Sequence, residues 1–382
     1  MERQRRAAHC SHLRRVEFLP DRGGARPGSR GYAGRTGIQR RGITLPAGWL
    51  MKTYGSLAAS AAIGLALAGN AAAAETSKCK LARIAEWSVG TQYYRPIVDG
   101  EINGRKIGIL LDTGAQMSLV RRSATTKLGL TRYEAKDYRA FGGGGETQAE
   151  YVHIDEFRIG QAVRKNWRVL VAGEHDFGDE IAILLGDDFL HQVDIEFDLA
   201  HNAVRLYETR DCEGVPLAYW TTEPAGVVPI EAGAEVRLTV AINGKPFRAH
   251  LDSGASASVL AMPDAAQLGV TPDTAGVIAG GCTNGLGRKR VDSWIAPFES
   301  FAIGNEIIRD PKLRLAPVGE HTTDTETGSR LPSQLAGLPQ MLLGADFLRA
   351  HRVLIAHSQR KMYFTYAGGT VFPSAPSKGC ND

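Results

Sequence analysis

The chain has 382 residues, 43% of them hydrophobic and 23% charged, with 45 basic and 41 acidic side chains and a formal charge of +4. That basicity is confined to the front: residues 1–74 hold 12 basic and three acidic side chains, so 75–382 keeps 33 against 38, a balance of −5. The later part therefore lacks the basic footprint of a nucleic-acid binder, and its 308 residues suffice for two domains of ordinary size.

Residues 1–50 contain 11 Arg and no Lys, with many Gly and no apolar periodicity. This composition reads as a disordered extension or as a start codon assigned too far upstream, and the second reading is favoured. Met51-Lys52-Thr53-Tyr54 is a short basic start, 55–69 is small and apolar, and Ala72-Ala73-Ala74 fits a small-residue cleavage site. Residues 51–74 are thus expected to be a signal peptide cleaved near Ala74, which places the mature chain in the periplasm or outside the cell. The apolar stretch is shorter than the ~20 residues of a spanning helix and too rich in Ala and Gly for a stable membrane anchor. Arg40-Arg41 leaves twin-arginine export as a lesser alternative.

Beyond the leader, short Val-, Ile- and Thr-rich runs predict strands over 95–102, 106–111, 193–197, 203–207, 236–242 and 247–251. Asn103-Gly104 and Asn243-Gly244 stand where tight hairpin turns belong. Helices are expected to be few and short, for example over 123–128 and 263–268. Cys79, Cys212, Cys282 and Cys380 permit two disulfides in an oxidising compartment, with three possible connectivities. A Cys79–Cys212 clip across the first half is one of them, and free buried thiols are the alternative.

The two halves repeat one another. Ile102-Asn103-Gly104, Asp112-Thr113-Gly114-Ala115 and Ser118 return 140 positions later as Ile242-Asn243-Gly244, Asp252-Ser253-Gly254-Ala255 and Ser258. Phe157-Arg158-Ile159-Gly160 returns after 144, and Leu184-Leu185-Gly186-Asp187-Asp188-Phe189-Leu190 after 158 as Leu342-Leu343-Gly344-Ala345-Asp346-Phe347-Leu348. A single Asp-[Ser/Thr]-Gly triplet is weak evidence; four markers in conserved order are not coincidence. The pattern predicts a mostly β chain of two similar lobes, 75–215 and 216–382, dividing near 211–224. Each lobe also carries a glycine-rich loop about 30 residues after its Asp, at 142–145 and 280–285, where Gly143, Gly144 and Gly281 are expected at mobile hairpin tips over a cleft. The polar stretch 322–340 is an insertion of the second half only, read as a surface loop.

Pseudo-twofold packing would bring Asp112 and Asp252 face to face. Two carboxylates at hydrogen-bond distance share one proton; the ionised member can take a proton from water while the other donates to a carbonyl oxygen. Thr113 and Ser253 offer hydroxyls across the lobe boundary, and Gly114 and Gly254 permit close backbone approach. Asp188 and Asp346 are expected to cap the helices that follow Gly186 and Gly344.

These motifs resemble the signature of retropepsin-like aspartic proteases, over about residues 92–366. The resemblance implies two acid-protease β-barrel lobes related by a pseudo-twofold axis, an extended-peptide cleft under hairpin flaps, and an endopeptidase that needs no metal or other cofactor. Ala115 and Ala255 are similar to the viral and bacterial type. Members often carry one such domain and dimerise; this chain looks like two fused halves, hence a monomer. It departs from the pattern in the 322–340 insertion and in Ser253 for Thr. No G-x-S-x-G, H-E-x-x-H, P-loop or G-x-G-x-x-G pattern offers another chemistry. A peptide-binding module that keeps the cleft without hydrolysis is the alternative function.

Overall fold

The computed structural model describes residues 78–90, 94–142, 144–173, 181–233, 235–283, 285–287, 289–318, 339–374 and 380. Outside them lie the N-terminal extension, the expected signal peptide, Gly143 and all but the last two residues of the 322–340 insertion. Among the described residues no helix is long and apolar enough to cross a membrane.

Side-chain alternation explains the strands that carry the site. Along Arg105–Leu111, Ile107, Ile109 and Leu111 enter the main core while Leu110 points to the opposite face. Lys245–Leu251 repeats the stagger with Phe247, Ala249 and Leu251. The hairpins leading into both strands turn at Asn103 (φ 49°) and Gly104 (φ 76°), and at Asn243 (φ 50°) and Gly244 (φ 76°). Positive φ at both central residues suits the right-handed twist of the flanking strands, and Asn-Gly is the pair that tolerates it best.

The first lobe is a ring of strands in the order Ile97–Ile102, Arg105–Leu111, Ile181–Leu185, Leu119–Arg121, Ala162–Ala172, Gly145–Ile159, closed where Gly145–Ile159 pairs again with Ile97–Ile102. Tyr133–Gly142 extends it as the outer half of a hairpin. The second lobe repeats this order with Arg237–Ile242, Lys245–Leu251, Met341–Leu343, Val259–Ala261, Lys312–Ala316, Val291–Pro297 and Ile278–Thr283. In both, the strand before the Asp pairs in parallel with the strand that ends in Leu-Leu-Gly, and the latter pairs antiparallel with the short strand after the Asp.

One difference has a local cause. The continuous hairpin Gly145–Ile159 and Ala162–Ala172 is broken in the second lobe into Val291–Pro297 with Ser300–Ile303, and Glu306–Arg309 with Lys312–Ala316. Pro297 and Pro311 lie at the break, and neither has an N–H to give a ladder.

A third, six-stranded sheet joins the lobes. Its centre pairs Asp194–Asp198 with His351–Ala356, equivalent strands of the two repeats, in antiparallel register about Glu196 and Leu354. Lys80–Ser88 lies at one edge and Gly226–Pro229 at the other. The four cysteines form two disulfides: Cys79–Cys212 ties the start of that edge strand to the end of Ala203–Arg210, and Cys282–Cys380 ties the second hairpin to the C-terminal segment. The described residues are mostly β, with four short α-helices among them, including Arg122–Leu128 and Met262–Ala266 near the expected positions.

Candidate active site

Each Asp stands where its strand ends in a turn. The Asp112 N–H donates to Leu185 O (2.9 Å) and the Ala115 N–H returns to Asp112 O (3.2 Å); Asp252 repeats this with Leu343 O (2.9 Å) and the Ala255 N–H (3.2 Å). Both turns are thus held by the Leu-Leu-Gly strand of their own lobe.

The turns are also held by one another. Thr113 Oγ1 donates to Leu251 O (2.6 Å) and accepts from the Ser253 N–H (3.0 Å), while Ser253 Oγ donates to Leu111 O (2.6 Å) and accepts from the Thr113 N–H (3.0 Å). Both residues are fully buried, so every one of these groups would be unsatisfied without its partner across the lobes. His250 Nε2 adds a further cross-lobe donation to Thr113 O (3.1 Å).

This lattice sets the two carboxyl groups against each other within hydrogen-bonding reach. Asp112 Oδ1 accepts from the Gly114 N–H (3.0 Å) and Asp252 Oδ1 from the Ala255 N–H (2.9 Å). A Cβ placed on Gly114 would lie 2.4 Å from Asp252 Cγ, and one on Gly254 2.4 Å from Asp112 Cγ. Burial, with the Asp252 carboxylate beside it, pushes the Asp112 carboxyl well above the usual carboxylate range; the Gly114 N–H and the charge of Arg95 pull the other way less strongly. The pair therefore keeps a proton that two isolated carboxylates would release.

Beneath the turns, Ser118 and Ser258 act as pins. The Ser118 N–H and hydroxyl both donate to Asp188 Oδ1 (2.8 and 2.6 Å), and its Oγ accepts from the Gly186 N–H (3.0 Å). Ser258 makes the same set with Asp346 (2.7 and 2.6 Å) and the Gly344 N–H (2.9 Å). The expectation that Asp188 and Asp346 cap the following helices is corrected: Gly186 and Gly344 occupy the cap positions, with no side-chain cap. The acids lie two residues past the cap position and hold the serine that follows the Asp turn instead.

The glycine-rich hairpins meet above the lobe boundary. In the first, Tyr133–Gly142 and Gly145–Ile159 turn through Gly144 (φ 88°). In the second, Ile278–Thr283 pairs with Val291–Pro297, so Gly281 (φ 88°) sits at a bulge within the strand and the turn falls later, around 285–287. The Lys289 N–H donates to Gly144 O (3.0 Å), and a Cβ on Gly287 would strike the Gly144 carbonyl carbon at 2.2 Å.

Three residues near the two acids are not among the shared markers of the repeat. Arg95 donates through Nη1 to Gly254 O (3.3 Å) and interacts with both acids, and burial lowers its own pKa. Gln116 bonds Glu235, which also pairs with Arg237. Asp187 replaces the Ala345 of the second lobe; it is buried, and neither carboxyl oxygen has a hydrogen-bond partner among the described residues. Burial, then Glu235 and Asp188, push its pKa up from 3.8 to about 8. Comparing the repeats position by position would have singled out Asp187.

A family model described as "Aspartyl protease" matches residues 98–189 and 238–347. Among solved structures, the aspartic proteinase from Irpex lacteus is 11% identical over 75% of this chain and 98% of its own, with a TM-score of 0.44. A retropepsin-like aspartic protease from Rickettsia conorii is 19% identical over 34% of this chain and 94% of its own, with a TM-score of 0.23. The search of curated proteins returns no match. The two segments matched by the family model span more than half of the chain, and each contains one Asp turn: the chain belongs to the aspartyl protease family.

Proposed function

We propose that this chain is an aspartic endopeptidase in which Asp112 and Asp252 act as one site within one molecule. The observation that carries the reading is the opposed pair of carboxyl groups, Asp112 buried and Asp252 half-buried, each beside the glycine of the other's turn, with Asp112 raised by burial and by its neighbour. With one proton on the pair, drawn toward Asp112, the partner carboxylate accepts a proton from a water as that water attacks the peptide carbonyl. Asp112 donates its proton to the carbonyl oxygen, and collapse of the tetrahedral species passes a proton to the leaving amine, so no acyl-enzyme forms. Activity requires the singly protonated pair, so it falls as pH rises through the raised pKa of Asp112.

An extended peptide beneath the Gly144 and 285–287 turns would be held chiefly by main-chain hydrogen bonds, with side-chain recesses setting preference. The two disulfides favour an exported chain; the small-residue site at Ala72-Ala73-Ala74 supports cleavage near Ala74, and the internal repeat supports lobes at 75–215 and 216–382. Incubating residues 75–382 with a mixed peptide library tests the activity: internal cleavage, suppressed by a statine-type transition-state analogue, is expected. Peptides that bind and stay intact between pH 3 and 7 would instead identify a binding module.

A further inference from the structure

The two sides of the cleft differ in chemistry although they repeat in fold. In the first lobe, Leu110 stands two residues before Asp112 and so on the same strand face. With Ile97, Leu119 and Leu184 it forms an apolar cluster separate from the main core, and Leu170 packs against it. Leu286, from the turn of the other lobe's hairpin, also packs there, with its Cδ1 3.2 Å from where a Cβ on Gly173 would stand. A side chain arriving from the opposite lobe shows that this cluster opens onto the space between the lobes.

The matching face of the second lobe keeps Val259 and Leu342 in the places of Leu119 and Leu184 but is polar at three others. The repeat puts Arg237 where the first lobe has Ile97, and His250 where it has Leu110. Leu170 is paired with Leu119 in the first lobe; in the second, Val259 is paired with Arg314. Val169 and Val171 flank Leu170 from within the core, as Leu313 and Leu315 flank Arg314, so both residues point away from the core, toward the hairpin.

Arg237 has a partner in Glu235, and His250 is spent on Thr113 O. Arg314 differs. It is half-buried under the second hairpin, and its Nη1 donates to two neutral acceptors, Gly280 O (2.5 Å) and Ser293 Oγ (2.6 Å). Its Nε and Nη2 have no hydrogen-bond partner, and the side chain no ion pair, among the described residues. The charge it feels is Asp346, already committed to Ser258 and the Phe347 N–H. A guanidinium presents its donors as a planar fork that fits a carboxylate in two parallel bonds, and such pairs strengthen out of bulk water.

Resting on the protease reading above, we propose that Arg314 is a specificity-determining residue: the cleft takes peptides that place an acidic side chain, Glu or Asp, against the second lobe and an apolar one against the Leu110 cluster of the first. A merely structural Arg314, tethering the hairpin, would affect all peptides alike.

The test uses binding, so that it does not depend on hydrolysis. Peptides with a non-hydrolysable reduced bond flanked by Leu, and with Glu, Gln or Leu stepped through the positions on each side, are titrated onto residues 75–382. At one position Glu is expected to bind about tenfold more tightly than Gln. In Arg314→Met that ratio falls to about one while the all-Leu peptide keeps its affinity, and Arg314→Lys retains part of the preference. Equal binding of Glu and Gln at every position, a preference untouched by Arg314→Met, or no binding of any peptide would overturn the proposal. A Glu preference without cleavage of the corresponding normal peptides would sink the protease reading and leave the acid-binding subsite standing.

Discussion

Gly114 and Gly254 are glycine because of distance. Neither adopts a left-handed φ, so their backbones would accept alanine; what forbids it is the opposing carboxyl carbon 2.4 Å from each missing Cβ. Gly114→Ala is therefore expected to fold and to displace Asp252. A displacement of about 1 Å at reacting groups costs on the order of 100-fold in rate, and kcat/KM on any cleaved peptide measures it. Unchanged kcat/KM would mean that the carboxyl groups need not stand so close.

Asp187 is the residue that the repeat does not explain. A buried carboxyl with a folded pKa near 8, against 3.8, binds its proton more tightly folded than unfolded. Its favourable contribution is complete below about pH 4 and disappears as pH rises through about 8. Asp187→Ala, the residue of the second lobe, removes that penalty. The variant's gain over the parent in thermal melts should grow between pH 5 and pH 9, reaching roughly 1–3 kcal/mol, the usual cost of an unsatisfied buried polar group. A difference that stays flat across that range would contradict the assignment.

At the scale of elements, the edge strand Lys80–Ser88 is held by one ladder and by Cys79–Cys212, which closes a separation of 133 residues. Cys79→Ser with Cys212→Ser should lower stability by about 2–4 kcal/mol in denaturant melts, and a smaller loss would mean that the ladder alone fixes the strand. Much of the element pattern was legible. The strands around Asp112 and Asp252 alternate cleanly and are punctuated by Asn-Gly, so their ends fell within a few residues of expectation. The Thr113 and Ser253 hydroxyls read from sequence either as cross-lobe groups or as ordinary turn residues, and the fold uses them across the lobes.

Other features were hidden for physical reasons. Asp188 and Asp346 looked like caps because helix starts favour acids; the deciding factor was a serine 70 and 88 residues earlier, which local sequence does not reveal. The second hairpin turns later than Gly281 because that glycine serves a bulge, and glycine in a strand reads the same as glycine in a turn. Arg95 and Arg314 acquire meaning only from what the fold sets beside them.

For the whole molecule, the central sheet pairs equivalent strands of the two repeats, and the hydroxyl lattice binds Leu111–Thr113 to Leu251–Ser253 within one chain. A site built this way needs no second copy. Single substitutions Asp112→Asn and Asp252→Asn give the most direct measurement: peptide hydrolysis by each variant alone and by an equimolar mixture of the two after joint refolding. Each variant is expected to lose at least about 1,000-fold in kcat, with no recovery in the mixture, because no molecule in it holds both acids. Activity retained by either variant, or restored on mixing, would contradict a single dyad formed within one chain.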